Sequence, residues 1–344
     1  MSAFIANTVD LAKKAFTPSK ATNKLNPNRV LYLDFIKFLA AFLTVFYHLA
    51  YYNLDYGFVE GVTYYPNIAR IVMCISSSCV PLFFLVNGSL MFSRQRSLKE
   101  VYLKSLKIAF LTLLWSFLDF PSWFFKTLCV LYLLFPLFQL IKTKSQKLYN
   151  LICLLVFLVP FVYNFAVIFL KLFSVGNIEL LGITLPLGSL NRTGLATMYS
   201  ILYFLLGPML KASKKSPLII DLLLLFVGLF LVVFECVAYT NLNGAMFDGV
   251  NASFPTVGAL FLSTGIFLIC KKLSFKAIQK PLLFVGSGIF AIYISHSFII
   301  KYLPLPFKES LIVSLLGALV ICLIGAVIGK IASKTPFICW LFRI

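Results

Sequence analysis

The first long apolar run of the chain carries three ionisable side chains, Asp34, Lys37 and His48. Such groups within a membrane-spanning helix cost about 2.5–3.5 kcal/mol each on insertion scales, so each is a candidate functional residue. Lys37 and His48 are 11 positions apart. On a helix this spacing places them on one face, about 16 Å apart along the axis. The small residues Ala41 and Thr44 lie between them, so the stripe predicts a narrow groove for an elongated molecule. A neutral imidazole in such a stripe is a suitable proton acceptor for a hydroxyl group.

The same three residues also allow a purely structural interpretation. Lys37 can pair with Asp34 one turn below it or extend towards the membrane surface, and His48 can sit at the interface. The shared face of Lys37 and His48 favours the functional interpretation, but the sequence leaves both open.

A second set of polar residues is expected at the depth of His48. His296 lies near the end of the ninth apolar run, Arg70 at the start of the second and Glu235 in the outer third of the seventh. We interpret this layer as part of a site, because ionisable groups are rare within spans. The alternative is that His296, beside Tyr293, is only an interfacial aromatic residue.

Basic residues are concentrated just before the third apolar run. Lys104 and Lys107 are spaced to share one helix face, and Arg94, Arg96 and Lys99 precede them. Such a cluster can hold phosphate groups by point charge. The usual excess of Lys and Arg on the cytoplasmic side of membrane proteins predicts a basic loop here as well, so both interpretations stay open.

Membrane helices must position these residues, because the chain has too little polar surface for a water-soluble globule. Of its 344 residues, 61% are hydrophobic and only 12% are charged. The apolar runs are continuous rather than alternating, which favours helices over a β-barrel. The predicted fold class is all-α, a polytopic membrane helix bundle of about ten transmembrane helices. The predicted spans are residues 30–52, 67–92, 106–120, 122–141, 148–170, 195–210, 217–240, 254–270, 281–300 and 309–332.

The distribution of charge orients this bundle. The chain has 30 Lys and Arg against 11 Asp and Glu, and 23 of the 30 fall in connectors on one side of the predicted membrane. This bias predicts that both termini are cytoplasmic, and it accounts for the net charge of +19 without a nucleic-acid partner. The predicted domains are a cytoplasmic N-terminal arm, 1–28, with a short interfacial helix around residues 4–16; a transmembrane domain, 29–333; and a short cytoplasmic tail, 334–344.

The 8 cysteines lie almost all within apolar runs and show neither a CxxC motif nor a Cys/His ligand spacing. We interpret them as small core residues, and we predict neither disulfides nor a metal site. No secretory signal peptide is visible before the first span.

Several motifs resemble the acyltransferase-3 family of integral membrane O-acyltransferases. The segment Leu33-Asp34-Phe35-Ile36-Lys37, followed by His48, is similar to the family's leucine-aspartate-x-x-arginine signature with a histidine 11 positions later. Lys104-x-x-Lys107 falls where many members carry two arginines, so lysine occupies both arginine positions. The other similar segments follow in the family's order: Pro81-Leu82-Phe83-Phe84-Leu85-Val86-Asn87-Gly88, Trp123-Phe124-Phe125, Tyr132, Pro136, Leu206-Gly207-Pro208 and Ile292-Tyr293-Ile294-Ser295-His296.

The resemblance implies a multi-pass enzyme of the bacterial plasma membrane. Members transfer an acyl group, usually acetyl, from cytoplasmic acyl-CoA to a hydroxyl of a glycan, which here would be a cell-surface or lipid-linked saccharide. Acyl-CoA is a substrate in this reaction, and no permanently bound cofactor is implied. The expected partners are therefore acyl-CoA, the saccharide acceptor and membrane lipid.

The resemblance also implies roles for the candidate residues. His48 is expected to act as general base or to carry the acyl group briefly, while Lys37, oriented by Asp34, assists the donor. Lys104 and Lys107 are expected to bind the phosphates of the donor. The residues expected on the acceptor side are His296, Arg70, Glu235 and Tyr293.

Two other classes of function stay open. An exporter or flippase of a glycan or lipid-linked intermediate would also need a polar stripe through a helix bundle. The register of His48 with Lys37, and the absence of visible sequence repeats, disfavour it. The only feature that favours a sensor or scaffold with a degenerate site is that lysine stands at both positions where the family motifs have arginine.

Overall fold

The architecture described here is that of a computed structural model. It describes residues 29–117, 123–172, 177–180, 183–186, 198–247, 250, 255–302, 310–336 and 338–341. The predicted N-terminal arm and its interfacial helix lie outside the described residues. The proposed domain boundaries therefore stay predictions.

Helices form most of the described chain, in agreement with its continuous apolar runs. A 3-10 turn, Ser76–Ser78, links α2 to α3, and a π-helical segment, Phe157–Val162, links α6 to α7. The helices are α1 (Leu31–Asn53), α2 (Ile68–Ile75), α3 (Cys79–Met91), α4 (Leu98–Ser116), α5 (Trp123–Lys144), α6 (Gln146–Val156), α7 (Tyr163–Leu172), α8 (Tyr199–Ala212), α9 (Leu218–Asn243), α10 (Val257–Lys272), α11 (Gln279–Gly286), α12 (Ile289–Tyr302), α13 (Leu311–Lys334) and α14 (Ile338–Leu341).

Each of the ten predicted spans overlaps a helix or two consecutive helices of this set. By length and composition, 6 helical segments of the described residues can cross a membrane, or up to 7 if α11 and α12 form one bent span. The 6 segments are Leu31–Tyr51, Ile68–Met91, Trp123–Lys144, Gln146–Leu172, Leu218–Leu242 and Leu311–Lys334. The all-helical membrane fold is confirmed, whereas the count of ten and the side of each terminus stay predictions.

Helix α1 occupies the middle of the bundle. It packs against α3, α10, α11, α12 and α13. Its residues Ile36, Ala40 and Ala50 are completely buried. The helix that carries Asp34, Lys37 and His48 is therefore surrounded by protein along much of its length. This reduces the contact of these three side chains with lipid.

Helices α3 and α8 approach each other closely through two glycines. A Cβ atom at Gly88 would lie 1.8 Å from the Phe204 carbonyl oxygen, and one at Gly207 would lie 2.0 Å from the Leu85 carbonyl oxygen. Small residues commonly allow such contact between membrane helices. Both glycines belong to the motifs that the sequence shares with its predicted family.

Two irregular features interrupt the helices. Pro160 lies within the π-helical segment between α6 and α7, where a proline cannot donate the usual backbone hydrogen bond. Helices α11 and α12 meet at an angle of 65°. A short antiparallel hairpin, β1 (Asn177–Leu180) and β2 (Ile183–Pro186), lies between α7 and α8 and pairs Asn177 with Pro186. The sequence predicted no strand in this connection.

Candidate functional site

A cavity of about 490 Å³ lies between α1, α3, α4, α5 and the α11–α12 bend. This volume is within the range typical of small-molecule sites. Its side chains are mainly apolar and aromatic, with three cations among them, Lys37, Arg96 and Lys104. The complete lining is Lys37, Phe83, Asn87, Leu90, Met91, Arg96, Lys104, Phe124, Phe125, Leu128, Tyr132, Gly286, Ser287, Ile289, Phe290 and Tyr293.

Lys37 reaches this cavity with its charge partly neutralised by Asp34. The Lys37 Nζ atom donates to Asp34 Oδ1 at 3.2 Å, and Arg29 Nε donates to Asp34 Oδ2 at 2.6 Å. Asp34 is buried, at 4% exposure, so two cations share one carboxylate. The group retains a net positive charge at the edge of the cavity. Asp34 thus holds Lys37 in place, as both interpretations of the sequence predicted.

Arg96 is fixed at the same end of the bundle by several partners. Its guanidinium donates to the carbonyl oxygens of Met91 (3.1 Å) and Leu90 (3.2 Å) at the end of α3. It also forms an ion pair with Glu100 at 2.6 Å. A cation at the end of a helix is stabilised by the exposed carbonyl groups there. Arg96 is therefore held rigidly beside the cavity.

Lys104 lies over the ring of Tyr132, with its Nζ 5.0 Å from the ring centroid. The Tyr132 hydroxyl donates to Asn87 Oδ1 at 3.0 Å, and Asn87 Nδ2 donates to the Phe83 carbonyl oxygen at 2.8 Å. These two hydrogen bonds orient the Asn87 amide and the Tyr132 ring on which the Lys104 ammonium lies. Cation–π contact leaves the Lys104 ammonium able to donate hydrogen bonds to an anion.

An aromatic wall closes the other end of the cavity. Tyr293 lies at the centre of this wall, with ring centroids 6.2 Å from Phe83, 5.4 Å from Phe124 and 5.2 Å from Phe125. Phe124 and Tyr132 are eight positions apart on α5, which separates the wall from the Lys104 site by about 12 Å. The cavity thus has a cationic end and an aromatic end.

The two histidines of the chain meet behind this wall. The ring centroids of His48 and His296 are 5.2 Å apart, and the Tyr293 ring is 5.6 Å from that of His296. Neither histidine lines the cavity. Ala41 and Thr44 are buried in the core beside them, so the stripe between Lys37 and His48 is packed rather than open.

The hydrogen bonds of the two histidines differ. His296 Nδ1 is 3.2 Å from the Ile292 carbonyl oxygen, and its Nε2 is 3.3 Å from Ser297 Oγ. Because a carbonyl can only accept, Nδ1 carries the proton and Nε2 accepts from the serine. Within the described residues the His48 ring has no such partner. The two rings therefore differ in that only His296 is fixed by hydrogen bonds among the described residues.

Two other predicted site residues make contacts away from the cavity. Glu235 accepts from the backbone N–H groups of Val257 and Gly258, each at 3.2 Å, and so caps the start of α10. Arg70 is completely buried. Its guanidinium donates to the Phe247 carbonyl oxygen and lies 5.8 Å from the Tyr56 ring centroid. No hydrogen bond or ion pair among the described residues joins either side chain to a histidine.

Lys107 also turns away from the cavity. Its Nζ lies 5.0 Å from the ring centroid of Trp340 in α14, and Trp340 in turn contacts Phe110 at 5.5 Å. Lys104 and Lys107 share a helix face in the sequence, but only Lys104 reaches the cavity. Arg96 lines the cavity in the structure, where we expected Lys107 to be the second cation beside Lys104.

Two residues of this site, Asn87 and Tyr132, were given no individual role in the sequence analysis. Both belonged to family-like motifs, and this was the available signal for them. Arg96 was included only as one member of the basic cluster that can hold phosphate, because nothing in its spacing distinguishes it from Arg94 or Lys99.

The fold and the site together define a multi-pass membrane protein with an interior cavity that is cationic at one end and aromatic at the other. The family model described as "Acyltransferase domain" matches residues 103–331. Because this match covers more than half of the chain, the protein belongs to the acyltransferase-3 family. It is therefore a membrane acyltransferase whose general activity is acyl transfer to a hydroxyl group.

The family match includes Lys104, Tyr132, and Tyr293 and His296 of α12. It begins after α1. No curated protein and no solved structure matches the chain significantly.

Proposed function

We propose that this protein transfers an acyl group, acetyl in the simplest case, from cytoplasmic acyl-CoA to a hydroxyl of a cell-surface or lipid-linked glycan. The observation that carries this proposal is the two-ended cavity, with His48 and His296 directly behind its aromatic end. A donor with anionic phosphates at one end and a thioester at the other has the same polarity. Its orientation in the cavity follows from that polarity.

Lys37, Arg96 and Lys104 bind the diphosphate of the donor in this proposal. Ammonium and guanidinium groups are suitable partners for phosphate oxygens. The apolar middle of the cavity, around Leu128 and Phe290, suits the flexible arm that links the diphosphate to the thioester. The acyl group then lies against Tyr293, on the near side of the histidine pair.

His48 acts as the base in the transfer step. It removes the proton from the acceptor hydroxyl while the hydroxyl oxygen attacks the thioester carbonyl carbon. The carbon–sulfur bond breaks, and the CoA sulfur leaves and takes up a proton. In a two-step variant His48 itself first receives the acyl group and then passes it to the hydroxyl. His296 supports the pair from its fixed position.

Contact between thioester and histidine requires the Tyr293 side chain to move or the acyl group to pass beside it. Tyr293 is therefore a positioning residue at the junction of the donor and acceptor sides. The acceptor side corresponds to the end of the bundle that the charge distribution predicts to be extracytoplasmic. This arrangement supports an acceptor delivered from that side.

The test combines a cellular and a purified assay. Surface glycans from cells with and without the protein are compared by NMR for O-acyl signals, and purified protein in lipid is assayed for release of the free CoA thiol. We expect O-acyl signals and thiol release with the native protein, and neither with His48→Ala at equal membrane abundance. Thiol release by His48→Ala at the native rate would overturn the role of His48. Altered glycan export without acetyl-CoA consumption by the native protein would instead indicate an exporter.

A further inference from the structure

A second cavity, of about 410 Å³, lies beside the first at the end of the bundle predicted to be cytoplasmic. It is formed by the connection between α3 and α4 and by the turn between α5 and α6. In contrast to the first cavity, its lining is mainly polar. The lining residues are Phe92, Ser93, Arg94, Gln95, Gln139, Lys142, Thr143 and Gln146.

Lys142 is the cation of this cavity that has no carboxylate partner among the described residues. Its Nζ lies 4.8 Å from the Phe92 ring centroid and 5.5 Å from that of Tyr149. It forms no ion pair with any carboxylate of the described residues. Arg94, by contrast, is paired with Glu100, which Arg96 also shares. The cavity therefore combines one ammonium group held on aromatic rings with several amide and hydroxyl groups.

Gln139 of the second cavity is hydrogen-bonded to Arg96 of the first. Its side chain accepts from the Arg96 backbone N–H at 3.2 Å and donates to the Arg96 carbonyl oxygen at 3.3 Å. Gln139 lines the second cavity, and Arg96 lines the first. Arg96 and Gln139 therefore lie at the boundary between the two cavities, where the diphosphate and the nucleoside of one donor would adjoin.

We propose that this second cavity binds the phosphorylated nucleoside end of the acyl-CoA donor, with the ribose phosphate at Lys142. The proposal rests on the proposed function and divides the donor between two sites. The first cavity takes the acyl arm and the diphosphate, and the second takes the ribose phosphate and adenine. Phosphate is matched by an unpaired ammonium group, and adenine by an aromatic ring and by amides that both donate and accept.

Lys142 also satisfies a simpler expectation, because cations are favoured in the last turn of a helix and on the cytoplasmic side. Lys147 follows closely in the same basic region, is exposed, and lines neither cavity. Lys147 therefore has the charge expected on the cytoplasmic side of the membrane but no place in either cavity. Lys147→Gln is therefore a matched control for Lys142→Gln.

The test measures KM and kcat with acetyl-CoA and with acetyl-dephospho-CoA, which lacks only the ribose phosphate. In the native protein we expect the dephospho donor to have a KM about tenfold higher, since a charge-assisted contact to phosphate is lost. Lys142→Gln should raise the KM for acetyl-CoA to a similar level, leave the KM for the dephospho donor unchanged and preserve kcat. Lys142→Arg should keep the discrimination, and Lys147→Gln should behave as the native protein.

The outcomes separate this proposal from the function on which it rests. If the native protein uses neither donor, both fail. If it uses acetyl-CoA but Lys142→Gln raises both KM values equally, or neither, the nucleoside site is wrong while the acyltransferase proposal stands. A phospholipid headgroup is the other source of phosphate at this position. If the effect of Lys142→Gln is present only in vesicles with anionic lipid, the occupant is lipid and the proposal is overturned.

Discussion

The two ends of the bundle use similar polar side chains for different purposes. At the cavity, Lys37 and Lys104 are held by one neighbour each and direct their remaining donors towards an open volume. At the opposite end, Glu235 binds two backbone N–H groups and Arg70 binds a backbone carbonyl. The difference is in the surroundings: Glu235 and Arg70 are enclosed and bind the protein's own backbone, whereas Lys37 and Lys104 face a cavity and have donors left for a ligand. Arg96 combines both, because it binds two backbone carbonyls and also lines the cavity.

This contrast shows why an ionisable residue in a membrane span does not by itself indicate a catalytic site. The cost of burying such a group is offset by hydrogen bonds to the protein in one case and by ligand binding in the other. Sequence shows the cost but not the partner. Substitutions of residues from both classes distinguish the two uses.

The largest effect is expected at the histidine pair. His48→Ala should reduce acyl transfer by about a hundredfold to ten-thousandfold, the usual contribution of a general base. His296→Ala should cost clearly less, because the hydrogen bonds of its ring go to Ile292 and Ser297. Both are measured as kcat per folded protein in lipid. Equal losses for the two variants would show that the histidines act as one unit.

Glu235→Ala should lower stability rather than chemistry. It leaves the N–H groups of Val257 and Gly258 unpaired at the start of α10, and each buried unpaired group costs about 1–3 kcal/mol. Thermal unfolding in detergent should therefore shift to lower temperature, with kcat of the folded fraction retained. Glu235→Gln keeps one of the two acceptor oxygens and should therefore shift the unfolding temperature less than Glu235→Ala. A large loss of kcat without a change in thermal unfolding would move Glu235 into the catalytic class.

Lys104 and Lys107 should separate in donor binding. Lys104→Ala is expected to raise the KM for acetyl-CoA about tenfold, which corresponds to ~1.4 kcal/mol. Lys107→Ala should change this KM by less than about twofold, since the Lys107 ammonium lies over the Trp340 ring and does not line the cavity. Equal effects of the two changes would contradict the difference in their positions and favour a conformation in which both reach the donor.

A small effect is expected from replacing Lys37 by the arginine that the family signature carries. Lys37→Arg keeps the charge and the contact with Asp34, so acyl transfer should stay within about threefold of the native rate. Lys37→Gln, which removes the charge, should raise the KM for the donor. A severe loss with arginine would show that the cavity is shaped for a lysine at this position.

The sequence predicted much of the fold because that part depends on local patterns. Continuous apolar runs located the helices, and the i, i+3 spacing of Asp34 and Lys37 predicted their contact. The site depends on contacts between distant segments, which a single sequence does not encode directly. Glu235 was interpretable only once α10 was known to begin beside it. Lys107 was assigned to the donor because nothing in its spacing shows that Trp340, more than two hundred positions away, would take it instead.

The aromatic wall around Tyr293 has a consequence for how the proposed reaction keeps its two substrates apart. Phe83, Phe124, Phe125 and Tyr293 form packed rings at the end of the cavity nearest the histidines. In the proposed transfer from a donor on one side to an acceptor on the other, only the acyl group has to pass these rings. The reaction therefore requires no continuous water-filled passage through the bundle.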